Sequence, residues 1–182
     1  MPEKMYIPPF LFIGRLSEEK GIGYLLDTFK DNGWELQIGG DGPLICTVTD
    51  VCNRFPNIRY LGNLTKEQVR QQMQNCTVLI FPSTWYEGMP MTIIEAFSQG
   101  LPVIAGNLGA MPAMIKDGYN GLLFKAGDLF DLQAKLTKWQ SKLREEKEQF
   151  SKNAYQTYLN NYTPEKNLSQ LLAIYNSVIN HK

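Results

Sequence analysis

Glu87 and Glu95 stand eight positions apart, separated by the Gly88-Met89-Pro90 turn and the run Met91-Thr92-Ile93-Ile94. Two carboxylates so spaced fall on different elements. The preceding stretch, Cys76 to Pro82, is a short apolar run with β-branched residues, the pattern of a strand buried on both faces of a parallel sheet. Glu87 is therefore expected in the loop at a strand's carboxyl edge. Pro90 suits a first helical turn, so a helix is predicted from about Pro90 to Gln99, with Gly100 ending it and Glu95 on it. A carboxylate beside Ile93, Ile94, Ala96 and Phe97 either faces solvent or meets a polar partner, because an unpaired buried charge is too costly. Helical spacing sets Glu95 on the side of Met91 and Thr92. A helix N-terminus attracts phosphate, and a carboxylate further along can accept two hydrogen bonds from a sugar diol. The plainer alternative is a solvated helix glutamate beside a loop glutamate.

The elements that must position these residues alternate along the chain. Phe10 to Gly14 reads as a strand, Gly21 to Phe29 as a helix, and Trp34 to Gly39 as a strand closed by the turn Gly39 to Pro43. A helix through Val51, a strand at Ile58 to Leu61 and a helix from Thr65 to Gln74 follow. After the Glu87 segment come a strand at Pro102 to Ala105, a short helix around Ala113, a strand at Gly121 to Phe124 and a helix opened by Asp128. This order predicts an α/β fold, a doubly wound, Rossmann-like parallel β-sheet with ligands at the carboxyl edge of its strands. From Asp128 onward only helical patterns occur, with Thr163 as N-cap and Pro164 as first helical residue. The charges from Lys142 to Glu148 alternate in sign and read as a solvated face.

Two further loops at that edge carry usable chemistry. Gly14 can turn the chain after the first strand, so that Arg15 and Lys20 converge beyond its end. An arginine fork and a lysine point charge match a diphosphate, although an ordinary charged loop would look the same. In Tyr60 to Thr65, Leu64 and backbone groups could frame a planar base. Thr65 is equally explained as the N-cap of the next helix, with Gln68 completing a capping box.

Composition narrows the function classes. The 182 residues are 43% hydrophobic and 20% charged, an ordinary balance for one globular domain. Lys plus Arg and Asp plus Glu both number 18, so no sign-biased field points to a nucleic-acid partner. Cys46, Cys52 and Cys76 lack metal or redox spacing and read as small buried residues in a reducing compartment. The one histidine, His181, excludes histidine triads and multi-histidine metal sites within this chain. No acidic pair is arranged to hold a metal. No signal peptide is recognisable, and no apolar run is long enough to span a membrane.

Four motifs in order carry a family resemblance: Gly14-Arg15 with Lys20-Gly21; Gly40-Asp41-Gly42-Pro43; Glu87-Gly88 and Pro90 with Glu95-Ala96; and Gly100 with Pro102-Val103-Ile104. Together they resemble the C-terminal, donor-binding half of the family 4 (group 1) retaining glycosyltransferases of GT-B fold, over nearly the whole chain. The resemblance implies that Gly14, Arg15 and Lys20 hold a nucleotide-sugar diphosphate, UDP- or GDP-linked, and that Glu95 binds the ribose. It implies that Glu87 meets the sugar ring and Leu64 the base, while Gly88, Met89, Pro90, Met91 and Thr92 line the sugar and phosphate. Catalysis would then rest on Glu87, Arg15 and Lys20, with no metal and no other cofactor. The acceptor would be a glycan or lipid-linked molecule, bound by an N-terminal domain that these 182 residues do not include.

On this reading residues 1–9 are a linker from that domain, 10–164 the nucleotide-sugar-binding domain, and 165–182 a helix packing back toward the missing half. The expected place is the cytoplasm, or the inner face of a membrane as a peripheral protein, with polysaccharide assembly as the setting. The alternative is a stand-alone, non-catalytic nucleotide-sugar-binding module. A dinucleotide oxidoreductase should show G-x-G-x-x-G where this chain has Gly14-Arg15-Leu16-Ser17. A sugar-nucleotide epimerase would need acid/base groups of its own in the cleft.

Overall fold

The computed structural model describes residues 8–179. Most of the expected linker at 1–9, and His181, lie outside the described residues. Six parallel strands form one sheet in the order β3-β2-β1-β4-β5-β6: β1 Phe10–Ile13, β2 Leu36–Gly39, β3 Ile58–Gly62, β4 Val78–Phe81, β5 Val103–Gly106 and β6 Gly121–Phe124. The order reverses between β1 and β4, which pair through Phe10 with Val78 and Leu11 with Leu79. A crevice opens at such a reversal because the connections leave the two strands toward opposite faces.

Helices cover both faces. One core layer unites Phe12, Ile22, Phe29, Ile38, Ile80, Leu136 and Trp139; the other unites Leu11, Leu79, Phe81, Ile93, Phe97, Val103 and Met111. All four residues of β4 are buried, as an apolar strand between two helix layers must be. The first half contributes α1 Ile22–Phe29, α2 Ile45–Arg54 and α3 Lys66–Asn75; the second contributes α4 Met91–Ser98, α5 Met111–Met114, α6 Leu129–Gln140, α7 Arg144–Asn161 and α8 Pro164–Ile179. A 3-10 turn, Glu18–Lys20, precedes α1. The capping box predicted at Thr65 and Gln68 closes α3 at both bonds.

Local details differ from expectation. Pro90 is the N-cap of α4, not its first residue, with extended backbone at φ −70° and ψ 110°. The other end is as expected: Gln99 is the C-cap and Gly100, at φ +67°, ends the helix, its N–H donating to Phe97 at 3.0 Å and Leu101 N–H to Ala96 at 2.8 Å, a Schellman closure. None of the cysteines is fully buried: Cys46 is exposed, and Cys52 and Cys76 are half-buried. The charged stretch 142–148 is not wholly solvated. Lys142 lies over the Phe150 ring and Lys147 over the Trp139 ring, 5.1 and 5.9 Å from the centroids. Helix α8 buries none of its residues against the rest of the described chain. No described helix is long and apolar enough to cross a membrane.

Candidate functional site

The loops after β1 and β4 meet at the reversal of strand order. Tyr24, on α1, donates its hydroxyl to the Pro82 carbonyl. Thr84 N–H donates to the Glu19 carbonyl at 2.9 Å, and the Thr84 hydroxyl donates to the same oxygen at 3.2 Å. These ties bring residues 67 positions apart into contact: the Lys20 ammonium donates to Glu87 Oε1 in a half-buried ion pair. Ser83, buried beneath, donates its hydroxyl to the same carboxylate oxygen at 2.9 Å. The Glu87 backbone is braced from the loop after β5, where Ala110 N–H, at the N-cap of α5, donates to the Glu87 carbonyl at 3.0 Å. Gly109 makes that approach possible: its φ is +59°, and a Cβ there would lie 2.8 Å from Glu87 N and 2.9 Å from Glu87 O.

Two clefts flank the β1 loop. A smaller one, about 150 Å³, is lined by Gly14, Arg15, Lys20, Ser83 and Thr92, among others. Thr92 comes from the first turn of α4, which has no side-chain cap and no acidic residue, so its partial positive charge faces this space unneutralised. A larger cleft, about 330 Å³, lies on the other side of Gly14 and Arg15, where Gly40, Asp41, Asn63 and Leu64 join them. Its wall is drawn tight by Gly40, at φ +137°, where a Cβ would stand 1.9 Å from the Gly14 carbonyl oxygen. Tyr60 donates to the Gly40 carbonyl at 2.8 Å, and burial, then the charge of Asp41, raises the pKa of that phenol.

The expected residues therefore gather unequally. Gly14 and Arg15 border both clefts, Lys20 and Thr92 the smaller and Leu64 the larger. Glu87 stands beside the smaller cleft through Lys20 and Ser83. Pro90 is buried behind it as the N-cap of α4, while Gly88, Met89 and Met91 are exposed. Glu95 is exposed on α4 and lines neither cleft. Ser83 and Gly109 were not anticipated. A polar residue two positions after an apolar strand, and four before Glu87, was a usable signal for Ser83. Gly109 had none, since its contact joins two loops that only the sheet brings together. Among the described residues no three His, Cys, Asp or Glu side chains converge as metal ligands.

Chemically, the arrangement sets one guanidinium, one ammonium and one free helix N-terminus around a crevice beside a groove. A carboxylate holds the ammonium at its rim. That suits an anion with two or more linked phosphates and a planar or polyhydroxylated extension.

The model of the family described as glycosyl transferases group 1 matches residues 8–157. An uncharacterized glycosyltransferase of Methanocaldococcus jannaschii is 34% identical over 128 residues, covering 69% of this chain and 36% of that protein. The lipopolysaccharide 1,6-galactosyltransferase of Salmonella typhimurium is 33% identical over 153 residues, covering 75% of this chain and 41% of that one. Among solved structures, Anabaena HepE in complex with UDP superposes with a TM-score of 0.84 at 20% identity, over 94% of this chain and 49% of that one. At that identity the likeness is one of fold, and the fold is the Rossmann-like C-terminal half of a GT-B protein. The chain spans well under half the length of these two curated relatives.

Proposed function

This chain belongs to the group 1 glycosyl transferases, and from that premise we propose that it is the donor-binding half of a retaining enzyme. The enzyme moves a hexosyl group from a nucleoside diphosphate to a glycan or lipid-linked acceptor. The observation that carries the reading is the convergence of Arg15, Lys20, Glu87 and the α4 N-terminus at the reversal of strand order. UDP is the favoured nucleotide, because HepE is solved in complex with it, with GDP as the other family choice. A glycan or lipid-linked acceptor is supported by the named activity of the Salmonella relative.

The diphosphate sits across Gly14, Arg15 and Lys20, the base enters the larger cleft beside Leu64, and the ribose hydroxyls reach Glu95. Breaking the glycosyl–phosphate bond leaves negative charge on the departing nucleotide. Fixed cations and helix N–H groups stabilise that charge most where it develops, which lowers the barrier. Without ligand, Glu87 holds the Lys20 ammonium in place; when the diphosphate arrives, Lys20 turns toward it and Glu87 becomes available to the sugar hydroxyls. Gly88 to Met91 offer backbone groups to the same sugar. Retention follows from same-face attack assisted by the leaving phosphate. Glu87 and Glu95 are not an acid and nucleophile pair, since Glu95 serves the ribose and not the scissile bond. Side chains supply the charge that a metal would otherwise supply, so binding is expected to persist in EDTA.

Calorimetric titration with UDP, GDP, ADP and their sugar conjugates tests this reading, repeated with Arg15→Ala and Glu95→Ala. Selective binding lost in both variants is expected; binding indifferent to both substitutions would sink it.

A further inference from the structure

At the opposite edge of the sheet, before β4 and β5 begin, lies a cavity of about 570 Å³, larger than either cleft of the donor site. Its apolar wall includes Met73, Leu101 and Pro102, and its polar wall comes from the end of α6 and the start of α7. Three cations line it against one carboxylate, Glu148. Two of these cations have acidic partners: Lys142 pairs with Glu146 and Arg144 with Glu148, both at 2.9 Å. Lys147 has none among the described residues. Its ammonium makes a long bond of 3.5 Å to the Gln140 carbonyl and rests over Trp139. Burial lowers its pKa, and the nearby charge of Glu146 offsets only part of that. Beside it, the side-chain oxygen of Gln140 is buried without a donor. A buried acceptor left unpaired is destabilising, and a ligand hydroxyl would satisfy it once the Gln140 side chain turns into the cavity.

We propose that this cavity binds a small phosphorylated polyol, its phosphate on Lys147, one hydroxyl donating to Gln140 Oε1, and its C–H face against Leu101 and Pro102. An anion alone would leave Gln140 unsatisfied, and a neutral sugar would leave Lys147 without an ion-pair partner. The site lies a strand's length from the donor clefts and does not depend on the function proposed above.

Calorimetry of the 182-residue chain with glucose 6-phosphate, inorganic phosphate and glucose decides it. Saturable binding of glucose 6-phosphate is expected, at least tenfold tighter than of either fragment. Lys147→Met and Gln140→Leu should each weaken it tenfold or more, while Arg15→Ala leaves it unchanged. Circular dichroism checks the fold, and Lys147→Gln replaces Lys147→Met if the apolar variant does not fold. Four results would overturn the proposal: no saturable binding; inorganic phosphate binding as tightly as glucose 6-phosphate; affinity indifferent to Lys147; or loss confined to Arg15→Ala, which would move the ligand to the donor site.

Discussion

Glu87 is held from three directions, by Lys20, by Ser83 and through its backbone by the Gly109-Ala110 turn, and each can be tested separately. Gly109→Ala puts a Cβ into the Glu87 backbone at a positive φ, so the Glu87 loop must shift. Strain of this kind costs roughly 1–3 kcal/mol, read as a lower urea midpoint. The displaced carboxylate should reduce affinity for a UDP-sugar more than affinity for UDP; equal losses for both would separate Glu87 from the sugar. A second residue-scale expectation concerns the thiols. Burial pushes the Cys76 thiol up to about 12, so at pH 8 almost none of it is thiolate, whereas Cys46 is exposed. Iodoacetamide at pH 8 should therefore label Cys46 in the native chain and Cys76 only after denaturant is added. Mass spectrometry of the peptides distinguishes them.

At the scale of elements, capping gives a pH dependence. The Asp128 carboxylate accepts from Phe130 and Asp131 N–H groups at the start of α6, both at 3.1 Å. The Asp131 bond first, with Lys125 nearby, holds its pKa below the ordinary aspartate value. A folded-state pKa below the unfolded one means that the stabilisation is complete above the unfolded value, near pH 4, and fades as pH falls through the folded value. Urea midpoints measured from pH 6 to pH 2.5 should fall less steeply in Asp128→Asn than in the parent chain. The same element was legible in the sequence, because an N-cap is a local chemical choice. So were β4, whose apolar run needs two covering layers, and the capping box of α3. What was not legible is long-range. Pro90 reads equally well as N-cap or first helical residue, and only the path of the Glu87 loop decides. The charges of 142–148 read as solvated because nothing local shows Phe150 and Trp139 beneath Lys142 and Lys147. Arg15, Lys20 and Glu87 were recognisable by type and by their strand-end positions, yet the Lys20–Glu87 ion pair depends on β1 and β4 being neighbours, a property of the whole sheet.

For the whole molecule, the question is which parts the fold needs and which the reaction needs. Helix α8 exposes Leu168, Leu171, Leu172, Tyr175 and Val178 and buries nothing, so the rest of the domain gains little from it. Removing 164–182 should leave the urea midpoint and the affinity for UDP unchanged, because neither core layer includes a residue of that helix. A large fall in either would mean that α8 folds onto the domain in solution. Transfer is a different matter. Chemistry of the proposed kind needs an acceptor hydroxyl at the anomeric carbon with water kept out, and the proposed donor crevice opens at the carboxyl edge, bordered by exposed Trp85, Tyr86, Met89 and Met91. Such a rim needs an opposing surface to close it, and the chain spans only 49% of HepE and 36% of the Methanocaldococcus relative. The 182-residue chain should therefore bind a UDP-sugar with its Arg15 and Glu95 dependence intact, and release sugar to added acceptors no faster than the uncatalysed background. Radiolabelled transfer assays over a panel of oligosaccharide and lipid-linked acceptors check this. Sustained turnover on any of them would mean that one Rossmann-like half suffices to hold acceptor, donor and a dry crevice together.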